Sequence, residues 1–265
     1  MIKKRKDGRR AVVLGTPVDR ASRSDLRHFI ERALTGSYTQ RIVTLNPEIA
    51  IAATRSPQYS NAVRTADYIT VDGFGLLLAL LFLGYGAGER VTGTDVLEEL
   101  CELAVRRDER IAFLLRKDGL TTPALLRDAL KERWPSLKAS IGTVHPAERV
   151  DPALIHAIND AAPSMLIVNF GHPDQEAWIT AHGDALRTIR IATGIGGAID
   201  YFSGVVPMPP RIMRKFGFEW LWRVIHQPRR LRRTLCAIVI FPLAVMREQI
   251  RLLRIPQLRL RSKHL

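Results

Sequence analysis

The stretch Arg41-Ile42-Val43-Thr44-Leu45-Asn46-Pro47-Glu48 decides how the rest of the chain reads. A short run rich in Ile, Val, Thr and Leu leads through an asparagine of helix-capping type into Glu48 to Ala53, which has helical character. A strand feeding straight into a helix is the repeating unit of a parallel sheet. Working outward, the unit recurs. Candidate strands are Ala11 to Leu14, Arg41 to Leu45, Tyr68 to Val71, Ile111 to Leu115, Ala139 to Gly142, Met165 to Asn169 and Ile189 to Thr193. Their short, continuously apolar character suits strands buried on both faces. Candidate helices are Ser24 to Leu34, Glu48 to Ala53, Gly73 to Leu83, Asp95 to Val105, Thr122 to Arg133, Pro152 to Ile158 and Gln175 to His182. Ser24 and Thr94 are placed to cap two of them, and Pro152 and Pro173 sit where a first-turn proline is tolerated. The fold expected is α/β, a Rossmann-like parallel sheet flanked by helices.

The pattern changes after Gly204. Val206-Pro207-Met208-Pro209-Pro210 is a stiff break, and Arg211 to Leu260 is rich in Arg, Trp and Leu with few strand signals. Three parts are therefore expected: a basic arm at 1–10, an α/β body at 11–204 and a basic helical appendage at 205–265. Charge follows the same division. The net charge is +14. Val205 to Leu265 holds 14 basic and 2 acidic residues, a net of +12, and Met1 to Arg10 adds a net of +5. The body between them is close to neutral, at −3. A charge so localised calls for an anionic partner such as lipid headgroups, a diphosphate or nucleic acid.

Within the appendage, Leu235 to Val245 is an apolar run interrupted by Pro242 and bracketed by Arg232-Arg233 and Arg247. About 20 apolar residues are needed to span a bilayer, so this run does not qualify. It reads either as a core helix or as a helix lying in the interface of an anionic membrane. The neighbouring arginines and the upstream Trp220 and Trp222 favour the second. With 265 residues, 46% of them apolar, a sizeable core is available. Cys101 and Cys236 have no metal-ligand or CxxC spacing, which points to a reduced, intracellular protein. The apolar stretch after Met1–Arg10 is too short for an export signal.

In a parallel sheet, ligands bind beyond the carboxyl ends of the strands, where helix N-termini point. Four polar clusters fall there: Thr44 to Glu48, Val71-Asp72-Gly73-Phe74-Gly75, Asn169-Phe170-Gly171-His172-Pro173-Asp174-Gln175-Glu176, and Thr193-Gly194-Ile195-Gly196-Gly197-Ala198-Ile199-Asp200. Asp72 reads equally as a proton-accepting carboxylate or as the cap of a helix starting at Gly73. Thr44 and Asn46 can each donate and accept hydrogen bonds, or serve as a strand residue and a cap. Arg90 can make a charge-assisted bond to an anionic oxygen, or is a solvated surface arginine. Gly194, Gly196 and Gly197 allow close backbone approach to a ligand, but Ile199 stands where a GxGxxG fingerprint needs glycine.

Taken in order, with Glu89-Arg90-Val91-Thr92-Gly93-Thr94-Asp95 between the second and third, these clusters resemble the WecG/TagA/CpsF glycosyltransferase family. The resemblance runs from Gly15-Thr16-Pro17-Val18-Asp19 past Glu219-Trp220-Leu221-Trp222-Arg223 to Gln227-Pro228-Arg229-Arg230-Leu231-Arg232-Arg233. It implies that Asp72 is the general base, and that Thr44, Asn46, Arg90 and Gln175 bind substrate. It also implies that Gly194, Gly196, Gly197 and Asp200 hold the nucleotide-sugar, and that Arg223, Arg230 and Arg233 complete the site over a diphosphate. The heptad-like spacing of those three arginines places them on one helix face. The activity implied is inverting transfer from a UDP-sugar to a polyprenyl-diphosphate-linked saccharide, on the cytoplasmic face of the bacterial inner membrane. Candidate sugars are N-acetylmannosamine, its uronic acid or another hexose. With no DxD motif, neither metal nor cofactor is expected.

The chain departs from relatives at Arg116-Lys117-Asp118, at Asp174 where lysine is common, and at His145-Pro146. These departures bear on the shape of the donor and acceptor pockets. A nicotinamide-dependent oxidoreductase would explain the body but not the appendage. A nucleic-acid binder would explain the charge, yet the apolar run in the tail favours lipid over nucleic acid.

Overall fold

The computed structural model describes residues 10–86, 88–148, 151–228 and 231–254, with backbone alone at 214–215 and 252–254. Most of the basic arm and the end of the appendage, 255–265, lie outside the described residues. Strand β1 (Arg10–Val13) pairs antiparallel with β2 (Thr16–Asp19). The other strands are β3 (Gln40–Leu45), β4 (Tyr68–Val71), β5 (Arg110–Arg116), β6 (Lys138–Val144), β7 (Met165–Asn169) and β8 (Ile191–Gly194). They form one parallel sheet in the order β4-β3-β8-β7-β5-β6.

Alternation along each strand sends neighbouring side chains to opposite faces. Ile42, Ile111, Phe113, Leu115 and Ile167 enter one core, against α1 (Arg23–Leu34), α5 (Gly93–Arg107), α6 (Pro123–Arg133) and α9 (Ala198–Phe202). On the other face, Val43, Leu45, Ile69 and Val71 pack against α2 (Pro47–Arg55), α3 (Pro57–Arg64) and α4 (Phe74–Phe82). Ala112, Leu114, Leu166 and Val168 pack on that same face beside α7 (Pro152–Ala161) and α8 (Asp174–His182). The expected Rossmann-like class is the class observed.

Several local expectations need correction. The first candidate strand is not in the parallel sheet. Leu14 and Gly15 have φ of 50° and 72°, the left-handed pair that makes a two-residue hairpin turn. That turn sends the chain back antiparallel. Asp19 then ties the hairpin to the sheet edge, its Oδ2 accepting from Ile69 N at 2.8 Å. Helix α1 is capped by Ser22, not Ser24, in a capping box with Asp25. Helix α5 is likewise capped by Thr92, not Thr94, in a box with Asp95. In both, the residue that wins has an aspartate three positions on to return a second hydrogen bond. Pro152 does occupy the first turn of its helix, while Pro173 stands at the cap of α8.

Beyond Gly204 the chain forms α10 (Arg211–Lys215), α11 (Glu219–His226), α12 (Leu231–Leu235), a π-helical segment at Cys236–Ile240, and α13 (Phe241–Arg254). The run Leu235 to Val245 serves two environments. Phe241 and Val245 are buried in the core shared by β1, α2 and α4, worth about 2 kcal/mol each. Ile238, Val239, Ile240 and Leu243 are exposed. Glu248 Oε2 also accepts from Leu14 N at 2.9 Å, fastening α13 to the hairpin turn. No helix among the described residues is long and apolar enough to cross a membrane.

Candidate active site

The carboxyl edge of the sheet collects the ends of β3, β4, β7 and β8. Asp72 follows β4 directly, and its N–H donates to Leu45 O at 2.7 Å, so the carboxylate is aimed by the β3–β4 pairing. It does not cap α4: that helix begins with Gly73 at its cap and has no side-chain cap. Instead Oδ2 lies 3.4 Å from Gly93 N, at the first turn of α5. Burial raises its pKa, Arg223 and Arg90 oppose that, and Glu219 reinforces it, for a net value of about 6. A carboxylate so tuned can hold or release a proton near neutrality.

Two cavities meet at Asp72, sharing Arg90, Glu219 and Arg223 as walls. The first, about 350 Å³, runs from Thr92 and Thr94 past Glu98 and Arg133 to Tyr201 and Met208. The second, about 300 Å³, runs from Asn46 and Glu48 past Phe74 and Leu78 to Trp220, Ile238 and Pro242. Arg90 Nη2 bonds Glu219 Oε1 at 2.8 Å. Arg223 Nε donates to Tyr201 Oη at 2.8 Å, with its guanidinium 4.8 Å from that ring's centre. Burial works against both charges. Burial is the largest single influence on each, but the opposing interactions summed, led by the Glu219 hydrogen bond at Arg90 and by Tyr201 and Asp72 at Arg223, outweigh it, so both pKa values rise.

Gly197 underlies Arg223: an added Cβ would sit 3.4 Å from Nη1. Gly217, at φ 76°, lies so close on Phe74 that any side chain there would overlap the ring, which sets the height of α11 over the cleft. Glu48 anchors the next helix of the appendage. Its Oε2 accepts from Arg233 Nε at 2.8 Å and lies 3.2 Å from His172 Nε2. Burial alone would raise the Glu48 pKa, but His172 and Arg233 together hold it at about 2.

The sequence-derived residues divide by position. Asp72, Asn46, Arg90 and Arg223 line the cleft. Asn46 also caps α2, Oδ1 accepting from Ile49 N at 3.0 Å. Arg233 reaches the cleft rim through Glu48. Arg223 and Arg233 are not on one helix face: they belong to α11 and α12, separated by the break at Gln227–Pro228. Arg230 lies outside the described residues.

Thr44 is buried in β3 and lines neither cavity. Gln175 is buried beside Gly194, Oε1 accepting from Gly171 N at 3.1 Å and Nε2 donating to Glu176 Oε1 at 2.7 Å. Gly194 and Gly196 make room for that amide, an added Cβ at Gly194 falling 2.5 Å from Gln175 Cδ. Asp200 is buried and accepts from Thr121 Oγ1 at 2.8 Å. Not singled out from the sequence are Glu219, Tyr201, Glu48 and His172. Three of them stand inside the quoted motifs, but nothing local marks them as partners of Arg90 and Arg233.

The fold is α/β, and its polar cleft lies at the carboxyl ends of parallel strands, where proteins of this class bind their ligands. The chain belongs to the glycosyl transferase WecG/TagA/CpsF family, whose model matches residues 11–255. It is 30% identical over 219 residues to an N-acetylglucosaminyldiphosphoundecaprenol N-acetyl-beta-D-mannosaminyltransferase of Bacillus spizizenii, covering 80% of this chain and 82% of the relative. A protein of the same description from Staphylococcus aureus is 27% identical over 235 residues, covering 88% and 91%. The protein is accordingly a glycosyltransferase.

Proposed function

We propose that the protein transfers a sugar, with inversion, from a UDP-sugar to a saccharide carried on polyprenyl diphosphate, at the cytoplasmic surface of the bacterial membrane. The observation that carries this reading is Asp72 at the junction of two cavities, with its pKa near 6 and Arg90 and Arg223 beside it. The names of the two relatives support N-acetylmannosamine as the sugar and an N-acetylglucosaminyl diphospholipid as the acceptor.

Asp72 takes the proton from an acceptor hydroxyl as its oxygen attacks the anomeric carbon. A new C–O bond forms on one face while the bond to the donor's phosphate oxygen breaks on the other. The electron pair leaves with UDP, and the guanidinium of Arg223 stabilises the charge that develops there. Arg90 is held by Glu219 at the same junction and adds to that field. Asn46 and Thr92 offer groups able to recognise sugar hydroxyls. Arg233, steered by Glu48, brings a further cation to the acceptor's diphosphate. The segment after Gly204 is the appendage that completes the site, and its exposed apolar residues among arginines seat it on anionic lipid.

The test is incubation of the full chain with a panel of radiolabelled UDP-sugars and a short-chain lipid-diphosphate saccharide. One donor is expected to yield labelled lipid product of inverted anomeric configuration. Retained configuration, or no transfer from any donor, would overturn the reading.

A further inference from the structure

Helix α4 reads Phe74-Gly75-Leu76-Leu77-Leu78-Ala79-Leu80-Leu81-Phe82, without one polar side chain. A helix apolar on every side belongs inside a core or against lipid. Here the core takes only part of it: Leu76, Ala79 and Leu80 are buried, while Leu78, Leu81 and Phe82 are 50%, 47% and 57% exposed. Phe74, Leu78, Leu81 and Phe82 follow helical spacing and form one stripe. The stripe starts inside the second cavity, at Phe74 and Leu78, and ends outside it at Leu81 and Phe82.

Across the cavity stand Ala237 and Ile238 of the π-helical segment and Pro242. Pro242 has no N–H to continue the α-helical ladder, which accounts for the irregular turn at this wall. One end of the cavity is the junction where Arg90 and Arg223 stand beside the carboxyls of Asp72 and Glu219, and Glu48 adds a third carboxyl to the lining. The two guanidiniums are the groups there able to hold a diphosphate, while the apolar stripe runs away from that end, an arrangement that suits an amphiphile. The first cavity differs, since Thr94, Glu98 and Arg133 at its far end are suited to hydroxyls and a nucleotide rather than to a hydrocarbon.

We infer that the cleft between α4 and Cys236–Ile240 is the subsite for the isoprene units next to the diphosphate of the lipid acceptor. The polyprenyl chain then leaves past Leu81 and Phe82 into the bilayer. This rests on the proposed transfer to a polyprenyl-linked saccharide and specifies where its tail lies. At about 300 Å³ the cavity is at the small end for ligand clefts, so it holds the start of the chain and not its whole length.

Two measurements on the full chain test the inference. The first needs no turnover: a benzophenone-bearing farnesyl diphosphate is photocrosslinked and the adducts are mapped by mass spectrometry. Adducts are expected within 74–82 and 236–242, and adducts confined to other surfaces would overturn the subsite. The second compares kcat/KM for saccharide diphosphates carrying a methyl or a farnesyl group, below micelle-forming concentration. Wild type should prefer farnesyl, and Leu78→Asp, at a half-exposed position that tolerates the change in folding, should cut that preference roughly tenfold. An undiminished preference in a folded variant would sink the subsite. Absence of transfer to either acceptor would count against the proposed reaction alone, because the crosslinking still reports where the tail binds.

Discussion

Replacing Asp72 by asparagine should make the protein inactive and more stable at the same time. Its carboxyl pKa moves from 3.8 to about 6, chiefly through burial. At about 1.36 kcal/mol per pKa unit, ionisation in the folded state costs up to about 3 kcal/mol. The sign follows from proton binding. The folded protein holds the Asp72 proton more tightly than the unfolded chain, so wild type has its full stability below pH 3.8 and loses it as pH rises through about 6. Asparagine keeps the side-chain shape and carries no charge to desolvate. At pH 8 the variant should gain up to about 3 kcal/mol, roughly 6–10 °C in Tm for a chain of this size. The gain should shrink toward pH 4.

Transfer should meanwhile fall by about 10²–10⁴, the usual worth of a general base. Wild-type kcat/KM should rise with pH and level off above about 6, since the base must be ionised. Calorimetric melts at several pH values, with initial-rate assays, supply all the numbers. A variant less stable than wild type at pH 8, or one that keeps its activity, would refute the assignment. A merely structural aspartate bonded to Gly93 N would give that loss of stability, about 1 kcal/mol.

Glu48→Gln should loosen the appendage. The Glu48 pKa is lowered from 4.5 to about 2, so its contribution is present above pH 4.5 and is lost as pH falls toward 2. Arg233 is 41% exposed, and solvent screening limits the effect to about 1 kcal/mol at pH 7. A gap between variant and wild type that is unchanged from pH 7 to pH 2.5 would contradict it. Gly194→Ala drives a methyl to 2.5 Å from Gln175 Cδ and should cost about 1–3 kcal/mol in thermal melts. At Gly197 the nearest contact is 3.4 Å, an ordinary van der Waals distance, so alanine there should cost less than about 1 kcal/mol. Equal losses at the two glycines would argue against the Gln175 packing.

How much was legible in the chain depended on the range of the interaction. The strand at Arg41 to Leu45, its turn at Asn46 and the following helix were plain, because apolar runs and a capping side chain act over a few residues. Strand β2 escaped notice since Thr16-Pro17-Val18-Asp19 holds a proline and gains its partner only through the Leu14-Gly15 turn. Helix α3 was hidden by its polar, eight-residue sequence. The aspartates three residues after Ser22 and Thr92 were a readable sign of the true caps.

By itself the sequence determined the α/β class, the polar clusters at the strand ends and the localisation of positive charge, each of which follows from local periodicity or composition. The choice of Asp72 as base, and not as a helix cap, came from the family resemblance. Only the tertiary structure decided that Asp72 titrates near 6, that Glu219 restrains Arg90, that Glu48 draws Arg233 to the rim, and that half of an apolar run joins the core while half stays exposed. Desolvation and Coulomb interaction depend on distances between residues far apart in the chain, and those distances exist only once the sheet has brought its strand ends together.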